Sequence, residues 1–130
     1  MSGGTDASIK IGEGSDNLTF SGGTDNNISI GNGNDTVSLS GPGSGDPNSV
    51  GTGNTVTLGN GDDTVTSAAS NRIILGNGDD TVFAGANDAV TLGNGKNTIH
   101  VGQNDTVTVG KGQDTFIFDQ TAAGKIALCH

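Results

Sequence analysis

Carboxylates recur at a fixed spacing in this chain. Asp63 and Asp80 stand at the same place in two copies of one heptapeptide, GNGDDTV, which begins at Gly59 and again at Gly76. Weaker copies follow, GNGKNTI from Gly93 and GKGQDTF from Gly110, so the four starts are each 17 residues apart. The glycine pairs Gly12/Gly14, Gly31/Gly33, Gly59/Gly61, Gly76/Gly78 and Gly110/Gly112 each precede an aspartate: Asp16, Asp35, Asp63, Asp80 and Asp114. Glycine lets a backbone curl until several carbonyl oxygens converge. Aspartate adds hard oxygen ligands, and Ca²⁺ takes about six to eight oxygens. The chemistry this pattern suits is cation binding. The turn from Gly59, Asn60 and Gly61 to Asp63, stacked on that from Gly76, Asn77 and Gly78 to Asp80, is the foremost candidate, because both keep a second acid, Asp62 and Asp79. The competing reading is that Asp and Asn only satisfy turn amides through their own side chains.

Other chemistry finds little footing. His100 and His130 have no cysteine or second histidine at ligand spacing, which speaks against zinc and general-base roles. Asp46-Pro47 is a dipeptide at which calcium-triggered modules cleave themselves, but GSGDPNSV carries little else of such a module. No catalytic constellation emerges, and the chain reads as non-enzymatic.

The elements that must position the acids follow from the repeat itself, since a strict period of this length is the mark of a solenoid. Each unit has a nine-residue half, such as GNGDDTVTS, and an eight-residue half, such as GANDAVTL from Gly85. In each half a polar, Gly-rich turn leads into alternating apolar and polar residues, which places every second side chain on one face of a strand. One repeat is therefore turn, strand, turn, strand. The inward columns expected are Leu18, Val37, Val65, Val82, Ile99 and Phe116 on the first strand. On the second they run from Ile9 to Val107 and from Ile11 to Val109. The expectation is an all-β chain, a parallel β-roll or β-solenoid of stacked two-strand coils spanning residues 4–118.

The register slips at two places. Two extra residues, Ser21 and Gly22, precede the half from Gly23. The segment SGPGSGDPNSV, residues 40–50, is an 11-residue insertion with both prolines, expected to bulge from a corner as a loop. Residues 119–130 lack the turn consensus and read as a tail or partial cap.

Composition agrees. Among 130 residues there are 24 Gly, no Trp or Tyr and four Phe, too few large side chains for ordinary globular packing but enough for aliphatic columns. The formal net charge is −9, built from 13 Asp and one Glu against four Lys and one Arg. Nucleic acid is a poor partner for such a surface. No apolar run reaches membrane-spanning length, no signal-peptide core is present, and the single Cys129 excludes an intramolecular disulfide.

The nine-residue half, U-G-x-G-x-D-T-U-x with U aliphatic, resembles the RTX (hemolysin-type) nonapeptide G-G-x-G-x-D-x-U-x, in a divergent form with a 17-residue coil. The resemblance covers roughly Gly12 to Phe118. It implies a calcium-binding β-roll, with Ca²⁺ between successive turns on Asp carboxylates and turn carbonyls. It also implies a secreted or cell-surface protein exported by a type I-like route. The departures are an aliphatic residue in place of the first glycine, a short second half, and Lys96-Asn97 where acids stand elsewhere. The opposite turn column, Asn26, Asn54, Asn71, Asp88 and Asp105, reads as an amide ladder without metal. Two alternatives stand beside a calcium-binding structural module. One is a metal-free rod that self-associates end to end. The other is an ice- or polysaccharide-binding face built on the outward column Thr36, Thr64, Thr81, Thr98 and Thr115, whose neighbouring column is mixed.

Overall fold

The computed structural model describes residues 6–21, 23–40, 52–118 and 125–128. The start at Gly4, residues 41–50 of the insertion with Asp46-Pro47, and Cys129 lie outside the described residues.

Among the described residues thirteen short strands alternate between two parallel sheets. One sheet holds β1 (Ser8–Ile11), β3 (Asn27–Ile30), β5 (Thr55–Thr57), β7 (Arg72–Ile74), β9 (Ala89–Thr91), β11 (Thr106–Val109) and β13 (Lys125–Leu128) in that order. The other holds β2 (Asn17–Ser21), β4 (Thr36–Ser40), β6 (Thr64–Thr66), β8 (Thr81–Phe83), β10 (Thr98–Val101) and β12 (Thr115–Phe118). The chain is thus a β-solenoid: each coil contributes one strand to each sheet, and every pairing is parallel. Adjacent coils lie ~4.8 Å apart, so about six of them make a rod roughly 30 Å long.

The register reproduces the period. Val65 pairs with Val82, and Val82 with Ile99. Across the insertion Thr36 pairs with Thr64, and across the earlier two-residue slip Ser8 pairs with Asn27. The ladder thus keeps its register across both interruptions, but it takes in a residue of each. Ser21 pairs with Ser40, so the first of the expected extra residues and the first residue of the expected loop are strand residues, each the next position of the strand that leads into it. In the C-terminal segment, Lys125–Leu128 pairs with β11, Val107 facing Ile126 and Val109 facing Leu128. This part of the segment thereby adds a strand to the first sheet.

The core is one apolar file between the sheets. Ile28, Val37, Val56, Val65, Ile73, Val82, Ile99 and Val107 are fully buried. β-branched side chains dominate because they suit a pleated surface packed on one face. A further inward column, missed in the sequence reading, holds Phe20, Leu39, Ser67, Ala84 and Val101. Alternation from Val65 and Val82 points to Ser67 and Ala84, but their small side chains mask the signal.

The two corners solve the turn differently. The corner after the first sheet carries glycines with positive φ, Gly61 at 146° and Gly78 at 153°. A Cβ on Gly78 would collide with the carbonyl oxygen of Gly61 one coil back, so close backbone stacking requires glycine there. The opposite corner places Asp25, Gly53, Ser70, Asn87 and Asn104 in the left-handed region, φ 55–70°. Glycine and short polar side chains tolerate that conformation best.

Candidate metal site at the Asp-bearing corner

The heptapeptide turns enter β4, β6 and β8 with the acid that precedes the strand on the inside of the rod; before β10 that place is held by Asn97, and before β12 by half-buried Asp114. Asp35, Asp63 and Asp80 are each about 1% exposed. They form a ladder. The backbone N–H of Asp16 donates to Oδ1 of Asp35 (2.9 Å), that of Asp35 to Oδ1 of Asp63 (2.9 Å), and that of Asp63 to Oδ1 of Asp80 (3.0 Å). Asp80 donates to Oδ1 of Asn97, and Asn97 to Oδ1 of Asp114, both at 3.1 Å. Each Asp side chain thus satisfies the turn amide of the coil before it.

That uses one carboxylate oxygen. The second, Oδ2 of Asp16, Asp35, Asp63 and Asp80, is buried with no hydrogen-bond partner. A buried polar atom without a partner costs about 1–3 kcal/mol, more when charged. The carboxyls respond accordingly. Burial pushes the Asp80 carboxyl up from 3.8 to about 6, with its neighbours Asp63, Asp62 and Asp79 raising it further against the lowering effect of the Asp63 amide. Asp63 is raised too, first by burial and then by Asp35 and Asp62.

The opposite corner uses the same ladder with different chemistry. Asn26 N–H donates to Oδ1 of Asn54 (2.9 Å), Asn54 to Asn71 (3.0 Å), Asn71 to Asp88 (2.8 Å) and Asp88 to Asp105 (2.8 Å). Here the second side-chain atom is employed. Asn26 Nδ2 donates to Asn54 Oδ1, and Asn54 Nδ2 to Asn71 Oδ1. Oδ2 of Asp88 accepts the N–H of Gly85, and Oδ2 of Asp105 that of Gly102. The amide ladder expected from the sequence is present, and it ends in two acids whose oxygens are all engaged. The Asp88 carboxyl is nonetheless raised, chiefly by burial.

The other candidate ligands fall elsewhere. Asn60 and Asn77 are exposed on the outside of the turn. There Asn77 N–H donates to Asn60 Oδ1 and Asn94 N–H to Asn77 Oδ1, in the reverse sense to the inner ladder. Asp62 and Asp79 are likewise exposed, Asp62 Oδ1 accepting from Asp79 N–H and Asp79 Oδ1 from Lys96 N–H. The carbonyls of Gly59 and Gly76 accept the amides of Gly76 and Gly93, and those of Asn60 and Asn77 accept from Gly33 and Gly61. Asp16 and Asp114 are half-buried at the two ends of the inner file. No three acidic, histidine or cysteine side chains converge as a ready metal cluster among the described residues.

Backbone amides already stand between successive carboxylates at Oδ1, and the unanswered oxygens are the four Oδ2 atoms. These fit a hard cation in donor type, whereas the side chains of Asn60 and Asn77 sit on the far side of the turn.

Elsewhere on the surface, Phe83 stacks on His100 with ring centroids 4.4 Å apart. With Ala84, Ile117 and Phe118 they line an open depression of about 450 Å³ on the six-stranded sheet. No carboxylate, hydroxyl or thiol lines it among the described residues.

No family model, curated protein or solved structure matches this chain. The described residues include no helix long and apolar enough to cross a membrane.

Proposed function

We propose that this chain is a non-catalytic structural module of a secreted or cell-surface protein, a β-solenoid whose Asp-bearing corner is stabilised by Ca²⁺. One observation carries the reading: Oδ2 of Asp16, Asp35, Asp63 and Asp80 is buried and unpartnered in successive coils. A divalent ion offers those oxygens the charge that burial removes. The resemblance of the turns to RTX nonapeptides supports the same ion and a type I-like export. The ligand set is then led by Asp35, Asp63 and Asp80, and it weakens at Asn97, where the neutral amide instead donates to Asp114 Oδ1 (2.8 Å).

A second reading has its own support. The raised Asp80 carboxyl, about 6, favours a metal-free rod in which protons neutralise the file. Thermal unfolding at pH 7, followed by far-ultraviolet circular dichroism in chelator and in millimolar Ca²⁺, separates the two. Calcium binding to the native state raises the melting temperature. Identical melting in both solutions overturns the calcium reading and leaves the metal-free rod. The threonine face gains nothing comparable, because the column beside it runs Thr19, Ser38, Thr66, Phe83, His100, Ile117.

A further inference from the structure

We infer that the outer asparagines of the Asp-bearing corner are latent deamidation sites, held unreactive by the stacking of the coils and released when a coil opens. The inference rests on the solenoid and not on calcium. The sequence has four Asn-Gly steps, Asn32-Gly33, Asn60-Gly61, Asn77-Gly78 and Asn94-Gly95. All four lie at this one corner, in successive coils.

The chemistry of such a step is intrinsic to the chain and needs only water. The peptide nitrogen of the glycine attacks Cγ of the asparagine. The N–Cγ bond forms, the Cγ–Nδ2 bond breaks, and the amide nitrogen leaves as ammonia with the proton that the peptide nitrogen gives up. Water then opens the cyclic imide. Attack at its side-chain carbonyl gives aspartate. Attack at its main-chain carbonyl gives isoaspartate, in which the chain runs through the former side chain. Glycine hinders the first attack least, because it has no Cβ. Asn54, Asn71 and Asn97 are followed instead by Thr55, Arg72 and Thr98, whose side chains crowd the nitrogen.

Burial does not protect the four sites, since all four asparagines are exposed. The fold withholds reach. The nucleophile is tied to the following coil: Gly61 N–H donates to the Asn77 carbonyl and Gly78 N–H to that of Asn94, both at 3.0 Å. Gly33 and Gly95 donate in the same way to the carbonyls of Asn60 and Lys111. The electrophile is tied on both sides. Asn60 Oδ1 accepts the N–H of Asn77 (2.9 Å), while Asn60 Nδ2 donates to Asn32 Oδ1 (3.3 Å). Asn77 Oδ1 accepts the N–H of Asn94 (2.9 Å), while Asn77 Nδ2 donates to Asn60 Oδ1 (3.1 Å). To bring Cγ onto its own glycine nitrogen, the side chain must leave both neighbours and the peptide must drop its bond. Both happen when a coil lifts off the next, so reactivity follows the population of the opened coil.

The same packing makes the reaction one-way. A Cβ on Gly61 would meet the carbonyl oxygen of Gly33, and one on Gly78 that of Gly61, so the stack demands glycine after each asparagine. Isoaspartate lengthens the main chain by a methylene at that point, where backbone lies against backbone too closely for a Cβ. A coil that opens and reacts this way does not close again, and the loss is kinetic. The aspartate product still offers Oδ1 to the following coil, as Asp79 does to Lys96 N–H (2.9 Å).

Peptide mass spectrometry over a time course at mildly alkaline pH tests the inference, with the full chain folded in buffer and unfolded in urea. In urea the four Asn-Gly steps should deamidate together, ahead of Asn54, Asn71 and Asn97. In the folded chain Asn60 and Asn77 should react more slowly by about tenfold or more. Val82→Ala, which weakens the core beside these turns, should speed both sites by roughly five- to thirtyfold. Chains aged in urea and returned to buffer should lose native melting in proportion to isoaspartate, located by electron-transfer fragmentation, and not to aspartate. Chains returned without ageing set the reference, and Asn77→Asp should fold as the parent does by circular dichroism. Reaction at Asn60 and Asn77 as fast in the folded chain as in urea, no acceleration by Val82→Ala, or native melting of isoaspartate-bearing chains would each overturn the inference.

Discussion

The amide of Asp63 donates to Oδ1 of Asp80 across 3.0 Å, while Oδ2 of the same Asp80 is buried and answered by nothing. A single carboxylate thus has one oxygen committed to holding coils together and one left over. The first makes the residue structural, and the second makes its stability depend on what the solution supplies.

The proton is the first such supply. Folded Asp80 holds its proton up to about pH 6, whereas the unfolded chain releases it near 3.8. Between those values the native state binds more protons, so stability falls as pH rises. The contribution is fully present below pH 3.8 and lost above about 6. A rise from 3.8 to about 6 corresponds to about 3 kcal/mol. Asp63 and Asp88, also raised, act in the same direction. In chelator, the melting temperature should drop by roughly 10 °C from pH 4 to pH 7. Millimolar Ca²⁺ should flatten most of that drop, because a cation favours the ionised form.

Replacing the acids separates the two roles. Asp63→Asn with Asp80→Asn keeps an oxygen at each rung and adds an amide that can bridge to the next side chain, as Asn97 does to Asp114. In chelator at pH 7 the double variant should be more stable than the parent by about 1–3 kcal/mol. Its calcium response should fall sharply, read by isothermal titration and by melting with and without the ion. A variant that is less stable in chelator and keeps the full calcium response would contradict both roles.

Gly78→Ala probes backbone stacking. The residue sits at φ 153°, and a Cβ there meets the Gly61 carbonyl of the preceding coil. Destabilisation of about 3 kcal/mol or more is expected in urea unfolding. Gly12→Ala, with nothing within 4 Å of an added Cβ, should cost far less.

Val82→Ala probes the core. Val82 is fully buried between Val65 and Ile99. Losing two methyl groups from a stacked column should cost about 2 kcal/mol, including the cavity left behind. Thr66→Ala, one coil away on the exposed face of β6, should change stability by about 0.5 kcal/mol or less.

Much of the fold was legible in the amino-acid sequence, because a solenoid is written in local terms. A 17-residue period, two Gly-rich turns per period and alternating aliphatic residues leave one economical arrangement, and Val65, Val82 and Ile99 stack as that period requires. Even the register across the interruption was legible, since Thr36 meets Thr64 as the repeat requires, although Ser40, read as the start of the insertion, belongs to the strand before it.

The chemistry of the corner was decided by tertiary structure. The adjacent acids Asp62 and Asp63 look alike in sequence, yet the turn sends one outward to solvent and the other into the rod. The two corners differ in composition but share one hydrogen-bonding scheme, because the need at both is the same: an oxygen for the turn amide of the coil before. Which side-chain atoms are then left over depends on a third contact. At Asp88 the Gly85 amide provides it, three residues back in the same turn. At Asp80 the longer nine-residue half brings no such amide within reach, and Oδ2 stays alone. The period is set by residues 17 apart, but the unanswered oxygens are set by how a turn of given length closes against its neighbour, which no single repeat spells out.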